Sequence, residues 1–447
     1  MQATHPAEPV HSEHRARQQA AIAFAILAVL PGVTLRLGGL RPSPLVAAMC
    51  YGLAVVGAAF MLAWAAEVIQ LDISAGLALA LLALIAVLPE YAVDFVFTWK
   101  AGSDLAYAPD ALANMTGGNQ LLIGVGWSMV VLLAAYRVRA ARRGKGPRPL
   151  PPDVDLSTTD VRLQRSHSVE IAFLVLATLY GLTLPLKSTL TLFDSAVLVT
   201  IFGLYVFRLA RAPAEEPHLV GPAQLIGALP ETKRRVIVGL LFLGAVVAIV
   251  LAAEPFAESL IEVGEEFDVD RFLLVQLVAP LASEAPELLV AGLFAWRLNT
   301  NSGIGALVSS KVNQWTLLVG TLPIVFAISS MSRHGLPIDA VQRDELWVTA
   351  AQSAFAVAVL ANRSISVTEA SALLGLWLLQ LVTKFEGLMG GFQKEARIGV
   401  GIVYMILAIV VVYRNQRAVR PLLHDGFRAS YAELSASEPD EVQVIRA

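Results

Sequence analysis

The chain has 447 residues, of which 56% are hydrophobic and 15% charged, and its formal net charge is −3. Soluble domains carry about 25% charged residues, so this composition excludes a soluble enzyme and indicates an integral membrane protein. The charge gives no sign of a nucleic-acid partner, and the single cysteine, Cys50, excludes an intramolecular disulfide.

Continuous apolar runs of about 20 residues are long enough to cross a lipid bilayer as helices. The strands of a membrane barrel would alternate instead, so we predict an all-α, polytopic transmembrane helical bundle of about twelve helices. The predicted segments are 20–37, 44–69, 75–100, 108–136, 168–187, 191–210, 235–262, 270–298, 303–329, 345–361, 367–386 and 396–414.

Two polar stretches, 138–167 and 211–234, interrupt the apolar pattern and are predicted to be cytoplasmic connections. For the first segment we favour a retained helix over a cleaved signal peptide. The predicted organisation is a tail with an extra helix (1–43), a first repeat with its loop (44–210), a linker (211–234), a second repeat (235–386), and an extra helix with a C-terminal tail (387–447).

The distribution of basic residues predicts the orientation of the bundle. With a cytoplasmic N-terminus, 22 of the 33 Lys and Arg residues fall on the cytoplasmic side and ten on the other. This excess agrees with the positive-inside rule, so both termini are predicted to be cytoplasmic. The predicted location of the protein is the plasma membrane, which in a bacterium is the inner membrane. The remaining basic residue, Lys311, lies in the middle of an apolar segment.

The two halves of the chain repeat one another in three elements that follow in the same order. The first copy stands in the third segment and the second in the eighth, so an odd number of crossings separates them and inverts the second copy. The paired elements are Ala65-Ala66-Glu67 with Ala252-Ala253-Glu254, Pro89-Glu90 with Pro286-Glu287, and Asn119-Gln120 with Asn313-Gln314.

Four acidic residues stand at membrane depth, where a charged side chain costs about 2.5–3.5 kcal/mol and usually serves a function. Glu90 and Asp94 share a helix face, as do Glu284 and Glu287. A proline before Glu90 and before Glu287 leaves a backbone carbonyl without its usual hydrogen bond. Carboxylate and carbonyl oxygens together suit a hard cation, so we predict that Glu90, Glu287 and Glu284 bind cations, with Asp94 as a further candidate.

Neutral polar side chains on the partner segments can complete an oxygen coordination shell without adding charge. Their alternative role is hydrogen bonding between helices. The candidates are Thr116, Asn119, Gln120, Ser283, Ser310, Asn313 and Gln314.

These motifs resemble those of the calcium/cation antiporter superfamily, which includes the sodium/calcium exchangers. The resemblance covers residues 44–136 and 235–329 and implies two inverted repeats of five helices, with extra helices at the ends. It implies that Glu90 and Glu287 are the cation-binding glutamates. The sequence departs from the family pattern where Gln120 and Gln314 replace Asn or Asp, where Lys311 replaces Asn, and where Glu284 replaces Ser.

Lys311 is therefore predicted to be a charge partner of the acidic residues. With three ionised glutamates and a protonated lysine the cluster would carry a charge of −2. Lys311 could pair with the acids until a cation displaces it, exchange its proton, or only lock the helices through a salt bridge to Glu284.

From these features we predict a secondary active cation antiporter that exchanges Ca²⁺ or a related cation against Na⁺ or H⁺ by alternating access. A Na⁺/H⁺ antiporter with Lys311 as a site cation is the alternative; an intramembrane enzyme or a channel is the second. The G-x-G-D, His-Glu-x-x-His and Gly-x-Ser-x-Gly motifs are absent from the sequence. The expected partners are inorganic cations and the lipid bilayer, and we expect neither a cofactor nor enzymatic activity.

Overall fold

The computed structural model describes residues 12–72, 88–145, 157–212, 219–385, 389 and 391–436. The first half contains α1 (Ser12–Gly38), α2 (Pro44–Ile69), α3 (Leu88–Ala101), α4 (Ala108–Leu121), α5 (Ser128–Arg142), α6 (Ser168–Gly181) and α7 (Leu192–Leu209). The second half contains α8 (Pro222–Gly227), α9 (Glu231–Phe267), α10 (Arg271–Trp296), α11 (Thr300–Asn313), α12 (Val319–Ser329), α13 (Ala340–Val359), α14 (Val367–Val382), α15 (Gln393–Arg414), α16 (Gln416–Phe427) and α17 (Tyr431–Ala436).

The all-α polytopic fold predicted from the sequence is confirmed. Within the described residues, nine helices are long and apolar enough to cross a membrane. Each of the twelve predicted segments contains a helix, although part of the third, 75–87, lies outside the described residues. The chain is therefore an integral membrane protein.

Two polar segments contain more structure than the composition predicts. Within the predicted linker, α8 forms because Pro222 occupies its first turn, and Ala223 and Ile226 are buried against α1 and α2. Beyond the last predicted span, α16 folds back onto α6. Asp425 and Leu422 of α16 are both buried.

Two pairs of very short antiparallel strands join the ends of α6 and α13. Val161–Arg162, before α6, pairs with Ser364–Ile365, after α13. Thr189–Leu190, after α6, pairs with Leu336–Pro337, before α13. Because both ends of the two helices are connected in this way, α6 and α13 form one scaffold.

The long helices of the fourth and ninth predicted segments each contain a π-helical turn. One turn, Leu122–Trp127, joins α4 to α5, and the other, Gln314–Leu318, joins α11 to α12. Such turns often accompany functional sites in helices. The indole rings of Trp127 and Trp315, one from each turn, are fully buried in the largest hydrophobic core. This packing fixes the polar residues beside both turns.

Candidate cation site

Two carboxyl groups from different helices bind a single amide group in the interior. Gln314, at the start of its π-helical turn, donates from Nε2 to Glu90 Oε2 at 3.1 Å and also to Glu284 Oε1. Glu90 belongs to the first turn of α3, and Glu284 lies in the middle of α10. All three side chains are buried. The structure thus brings together three of the residues predicted from the sequence.

Prolines interrupt the backbone hydrogen bonding of α10 beside this contact. Pro280 and Pro286 both lie inside the helix. Because proline has no N–H, the carbonyl groups four residues earlier lose their helical donors. The Ser283 hydroxyl donates within the same turn, to the Pro280 carbonyl at 3.2 Å and to the Ala279 carbonyl at 3.3 Å. Ser283 therefore supports the interrupted turn.

Gly118 of α4 lets the Glu90 carboxyl group approach the helix backbone. A Cβ atom at Gly118 would lie 2.8 Å from Glu90 Oε1. At the preceding position, a Cβ on Gly117 would lie only 1.9 Å from the carbonyl oxygen of Gln276. This is the carbonyl that Pro280 leaves without a helical donor. Two adjacent glycines thus bring α4 against both the carboxyl group and α10.

Glu287 lies beside this pair and is partly buried. Its carboxyl group interacts electrostatically with those of Glu90 and Glu284. Three buried oxygens of the cluster, Glu90 Oε1, Glu287 Oε2 and Gln314 Oε1, accept no hydrogen bond from the described part of the chain. Buried acceptors normally have partners. A proton or a cation would satisfy oxygens of this kind.

Lys311 is fully buried and joins the two halves of the chain. Its Nζ donates to the backbone carbonyl of Asn119 at 2.8 Å and to its Oδ1 at 2.6 Å, and lies 5.2 Å from the centre of the Trp315 ring. It interacts electrostatically with Glu90 and Glu284. However, none of the ion pairs formed by the described residues involves Lys311. The salt bridge to Glu284 considered from the sequence is not formed here.

The remaining candidates of the second repeat and of α3 stand close in sequence to residues of the cluster. Asn313 Oδ1 accepts a hydrogen bond from the Tyr91 hydroxyl at 3.1 Å. Ser310 is partly buried in α11, one residue before Lys311. Asp94 accepts from Asn114 Nδ2 at 2.7 Å and lines a cleft of about 350 Å³ formed by α3, α9 and α12.

Gln120 and Thr116 lie in a different polar network. Gln120 Nε2 donates to Glu345 Oε2 at 3.1 Å and to Thr349 Oγ1 at 2.7 Å, whereas Thr116 Oγ1 accepts from Gln276 Nε2 at 3.0 Å. The structure therefore does not place these two residues against Glu90 or Glu284.

Glu345 was not among the residues predicted for the site, and of its hydrogen-bond partners only Gln120 was, although the sequence carries a signal. Polar residues at helical spacing form a buried stripe along α13. This stripe lies in the segment 345–361, which was predicted only to cross the membrane. Its members are Glu345, Thr349, Gln352 and Ser353. Gln276 and Lys384, which contact Glu345, come from separate helical segments. Their proximity to Glu345 therefore could not be seen without the folded structure.

No three acidic, histidine or cysteine side chains among the described residues are arranged to hold one metal ion. A divalent cation at Glu90 and Glu284 would need further oxygens, because Ca²⁺ takes six to eight ligands. The Gln314 amide is one source, since turning it would present Oε1 in place of Nε2.

The fold and these residues define a polytopic helical membrane protein with a buried carboxyl cluster between its two halves. The chain belongs to the sodium/calcium exchanger protein family, which it matches over residues 43–210 and 237–386. The proteins of this family are transporters. The similarity of the chain to them supports its classification as a cation antiporter.

Two solved structures show the similarity in more detail. The chain is 38% identical to an H⁺/Ca²⁺ exchanger named CAX, with a TM-score of 0.81 over 95% of this chain and 99% of that one. The protein YfkE is 13% identical and shares the fold alone, with a TM-score of 0.55 over 86% of this chain and 100% of its own. A search among curated proteins gives no matching sequence.

Proposed function

We propose that the protein exchanges Ca²⁺ against H⁺ by alternating access, with Glu90, Glu284 and Glu287 as the groups that carry the ions. The observation that carries this proposal is the shared Gln314 amide between Glu90 and Glu284, together with the unpartnered carboxyl oxygens of Glu90 and Glu287. The 38% identity to an H⁺/Ca²⁺ exchanger over nearly the whole chain supports the choice of ions.

The charge of the cluster explains how the two ions would compete. Three carboxylates and the Lys311 ammonium carry a charge of −2 together, which one Ca²⁺ or two protons neutralise. Net charge is costly at membrane depth, so the loaded forms of the site can change their exposure more readily than the empty one. The same carboxyl oxygens would bind either cargo, so one ion's gradient drives the other ion.

Gln314 would act differently toward the two cargoes. In the structure its Nε2 donates to Glu90 and Glu284, and it would keep these hydrogen bonds in a proton-loaded site. A Ca²⁺ bound by both carboxylates would displace this N–H group, and the rotated amide would offer Oε1 as a ligand. Asn119 and Asn313 support the site from its edge, through Lys311 and Tyr91. Ser283 and Ser310 belong to the same proposed ligand region, Thr116 and Gln120 to its margin, and Asp94 to the adjacent cleft.

Na⁺/H⁺ exchange is the second candidate. Lys311 already neutralises one unit of charge, and no three acidic side chains among the described residues are arranged to hold one metal ion. A monovalent cation demands less negative charge and fewer fixed ligands than Ca²⁺ does.

We also propose the arrangement in the membrane that the basic residues predict. Both termini would face the cytoplasm across a plasma membrane, with repeats at 44–210 and 235–386. The two family-matched segments, 43–210 and 237–386, nearly coincide with this division. A reporter fused to the C-terminus that is active only in the cytoplasm would test the orientation.

Flux in proteoliposomes tests the exchange itself. With an imposed pH gradient, Ca²⁺ uptake is expected for the unaltered chain and its loss for Glu90→Gln and Glu287→Gln. Na⁺ replaces Ca²⁺ in a parallel set, so that the second candidate is measured directly. Glu395→Gln, at an exposed position in the first turn of α15, is the control and should keep full transport. Undiminished exchange in both site variants would overturn the assignment.

A further inference from the structure

A second buried polar network lies outside the carboxyl cluster and is centred on Glu345 of α13. Glu345 Oε2 accepts from Gln276 Nε2 at 2.8 Å, from Gln120 Nε2 at 3.1 Å and from Lys384 Nζ at 2.8 Å. Arg397 Nη1 lies 3.6 Å from the other carboxyl oxygen. The Glu345 side chain is fully buried, and that of Lys384 is 6% exposed. Helices α4, α10, α13 and α15 and the end of the α14 segment thus converge on one carboxyl group.

The two glutamines of this network stand on the helices that form the candidate cation site. Gln276 precedes Glu284 on α10 by about two helical turns. Gln120 follows Asn119, which binds Lys311. Gln276 Nε2 also donates to Thr116 of α4, and its backbone carbonyl lies against Gly117. Glu345 therefore binds both helices at a point where they approach each other closely.

The chemistry of this arrangement requires a carboxylate. One carboxylate can accept from both glutamine amides and from an ammonium group at once. A glutamine at position 345 could keep its amide oxygen at these three donors, but it would carry no charge to balance Lys384 and would direct its N–H₂ group at Arg397. Lys384 supplies the opposite charge that makes a buried carboxylate tolerable.

We propose that Glu345, paired with Lys384, is a positioning residue that sets α4 and α10 around the carboxyl cluster. This inference rests on the proposed exchange function, because the carboxyl cluster is the ion-binding site only under that proposal. Glu345 itself touches none of Glu90, Glu284 and Glu287 through a hydrogen bond. Glu345 would therefore affect ion binding indirectly, by fixing the positions of Gln120 and Gln276.

The protein offers a matched control elsewhere in the fold. Asp194, at the start of α7, is also fully buried at its side chain and pairs with a lysine, Lys187. Asp194→Asn should lower thermal stability and leave the apparent KM for the transported cation unchanged. Comparison with this control separates the general effect of breaking a buried ion pair from a specific effect on the positions of α4 and α10.

The test compares Glu345→Gln, Glu345→Gln with Lys384→Gln, and Asp194→Asn in full-length protein. For both Glu345 variants we expect the apparent KM for Ca²⁺ to rise about tenfold or more, because each amide loses a hydrogen bond to a charged group. Maximal rate per folded molecule should change less. The double variant removes both charges together, so it serves where the single variant fails to fold.

Hydrogen exchange supplies a readout that does not depend on transport. Faster amide exchange is expected in 112–121 and 271–280 of both Glu345 variants, and unchanged exchange there in Asp194→Asn. An unaltered chain without transport would refute the proposed function alone, and these exchange rates would still decide the positioning role. A normal KM in the charge-balanced double variant, or unchanged exchange in both segments, would overturn the inference.

Discussion

Lys311 of the second half and Asn119 of the first half bind one another through two hydrogen bonds, at 2.6 and 2.8 Å. The asparagine at the repeat-equivalent place, Asn313, accepts from the Tyr91 hydroxyl instead. The two halves are thus chemically unequal at the site. One half contributes a fixed cation, and its partner contributes the backbone and amide oxygens that hold it.

Replacing Lys311 by methionine should change the charge that moves with each exchange cycle. The variant keeps a side chain of similar length but leaves three carboxylates without the ammonium group. If one Ca²⁺ or two protons neutralise the original cluster, the altered cluster binds a third proton but still one Ca²⁺, so one more proton is exchanged for each Ca²⁺. We therefore expect Lys311→Met to show a current on a solid-supported membrane that differs from that of the unaltered chain by one charge per turnover.

Lys187→Met provides the comparison for this measurement. Lys187 pairs with Asp194 at the start of α7 and takes no part in the carboxyl cluster. Its loss should reduce stability and leave the charge per turnover unaltered. An identical charge per turnover in Lys311→Met and the unaltered chain would contradict the role of Lys311 as a site cation.

A single methyl group at Gly118 should weaken cation binding. Its Cβ atom would lie 2.8 Å from Glu90 Oε1, so the carboxyl group has to move away from Gln314. Overpacking of this kind costs about 1–3 kcal/mol, and we expect the apparent Kd for the cation to rise about tenfold in Gly118→Ala. Binding measured by calorimetry on purified protein checks this. Gly203→Ala, in α7 with no atom within 4 Å of the added Cβ, should bind normally; equal affinities would refute the prediction.

The neighbouring substitution Gly117→Ala should affect stability more than Gly118→Ala does. The new Cβ would lie 1.9 Å from the Gln276 carbonyl oxygen, a backbone atom that cannot rotate away. Helices α4 and α10 would have to separate, and we expect a loss of about 3 kcal/mol or more. Thermal unfolding in detergent, with Gly203→Ala as reference, measures the effect. A Gly117→Ala protein as stable as the reference would show that the two helices are not held in contact here.

The sequence was sufficient to predict the helices and to single out acidic residues that the structure brings together. Glu90 and Glu284 stood out because a charge inside an apolar run has few explanations, and the structure brings them to one amide. The partner of Lys311 was not foreseen. Charge arithmetic suggested an acid, whereas the ammonium group binds the neutral oxygens of Asn119, which no charge pattern marks.

The Glu345 network shows a second limit. Gln120 was grouped with the acids by repeat symmetry, yet a residue from α13 binds it. Repeat symmetry predicts equivalent positions for equivalent residues. Side-chain contacts, however, also depend on the neighbouring helices, which differ between the two halves. Only the assembled bundle shows that Glu345 and Lys384 occur beside the first half.

Helix α16 should detach from α6 as the pH falls. Asp425 of α16 is held by both Arg165 nitrogens Nε and Nη2, each at 2.6 Å, and this hydrogen bonding keeps the pKa of the Asp425 carboxyl group below its usual range. Because the folded pKa lies below that of an unfolded aspartate, about 3.9, the ion pair stabilises the folded protein fully above that value. The stabilisation is lost as the pH falls through the folded pKa.

Amide hydrogen exchange of residues 416–427, corrected for intrinsic pH dependence, measures this detachment. Asp425→Asn should exchange faster than the unaltered chain at pH 7, by a local free energy of about 1.5–3 kcal/mol for a hydrogen bond to a charged group. The difference should shrink below about pH 4, because the Asp425 carboxyl group of the detached state begins to take up a proton there. Asp160→Asn, at an exposed position before α6, should match the unaltered chain throughout. A difference that stays constant from pH 7 to pH 3 would show that the charge of Asp425 does not hold α16 in place.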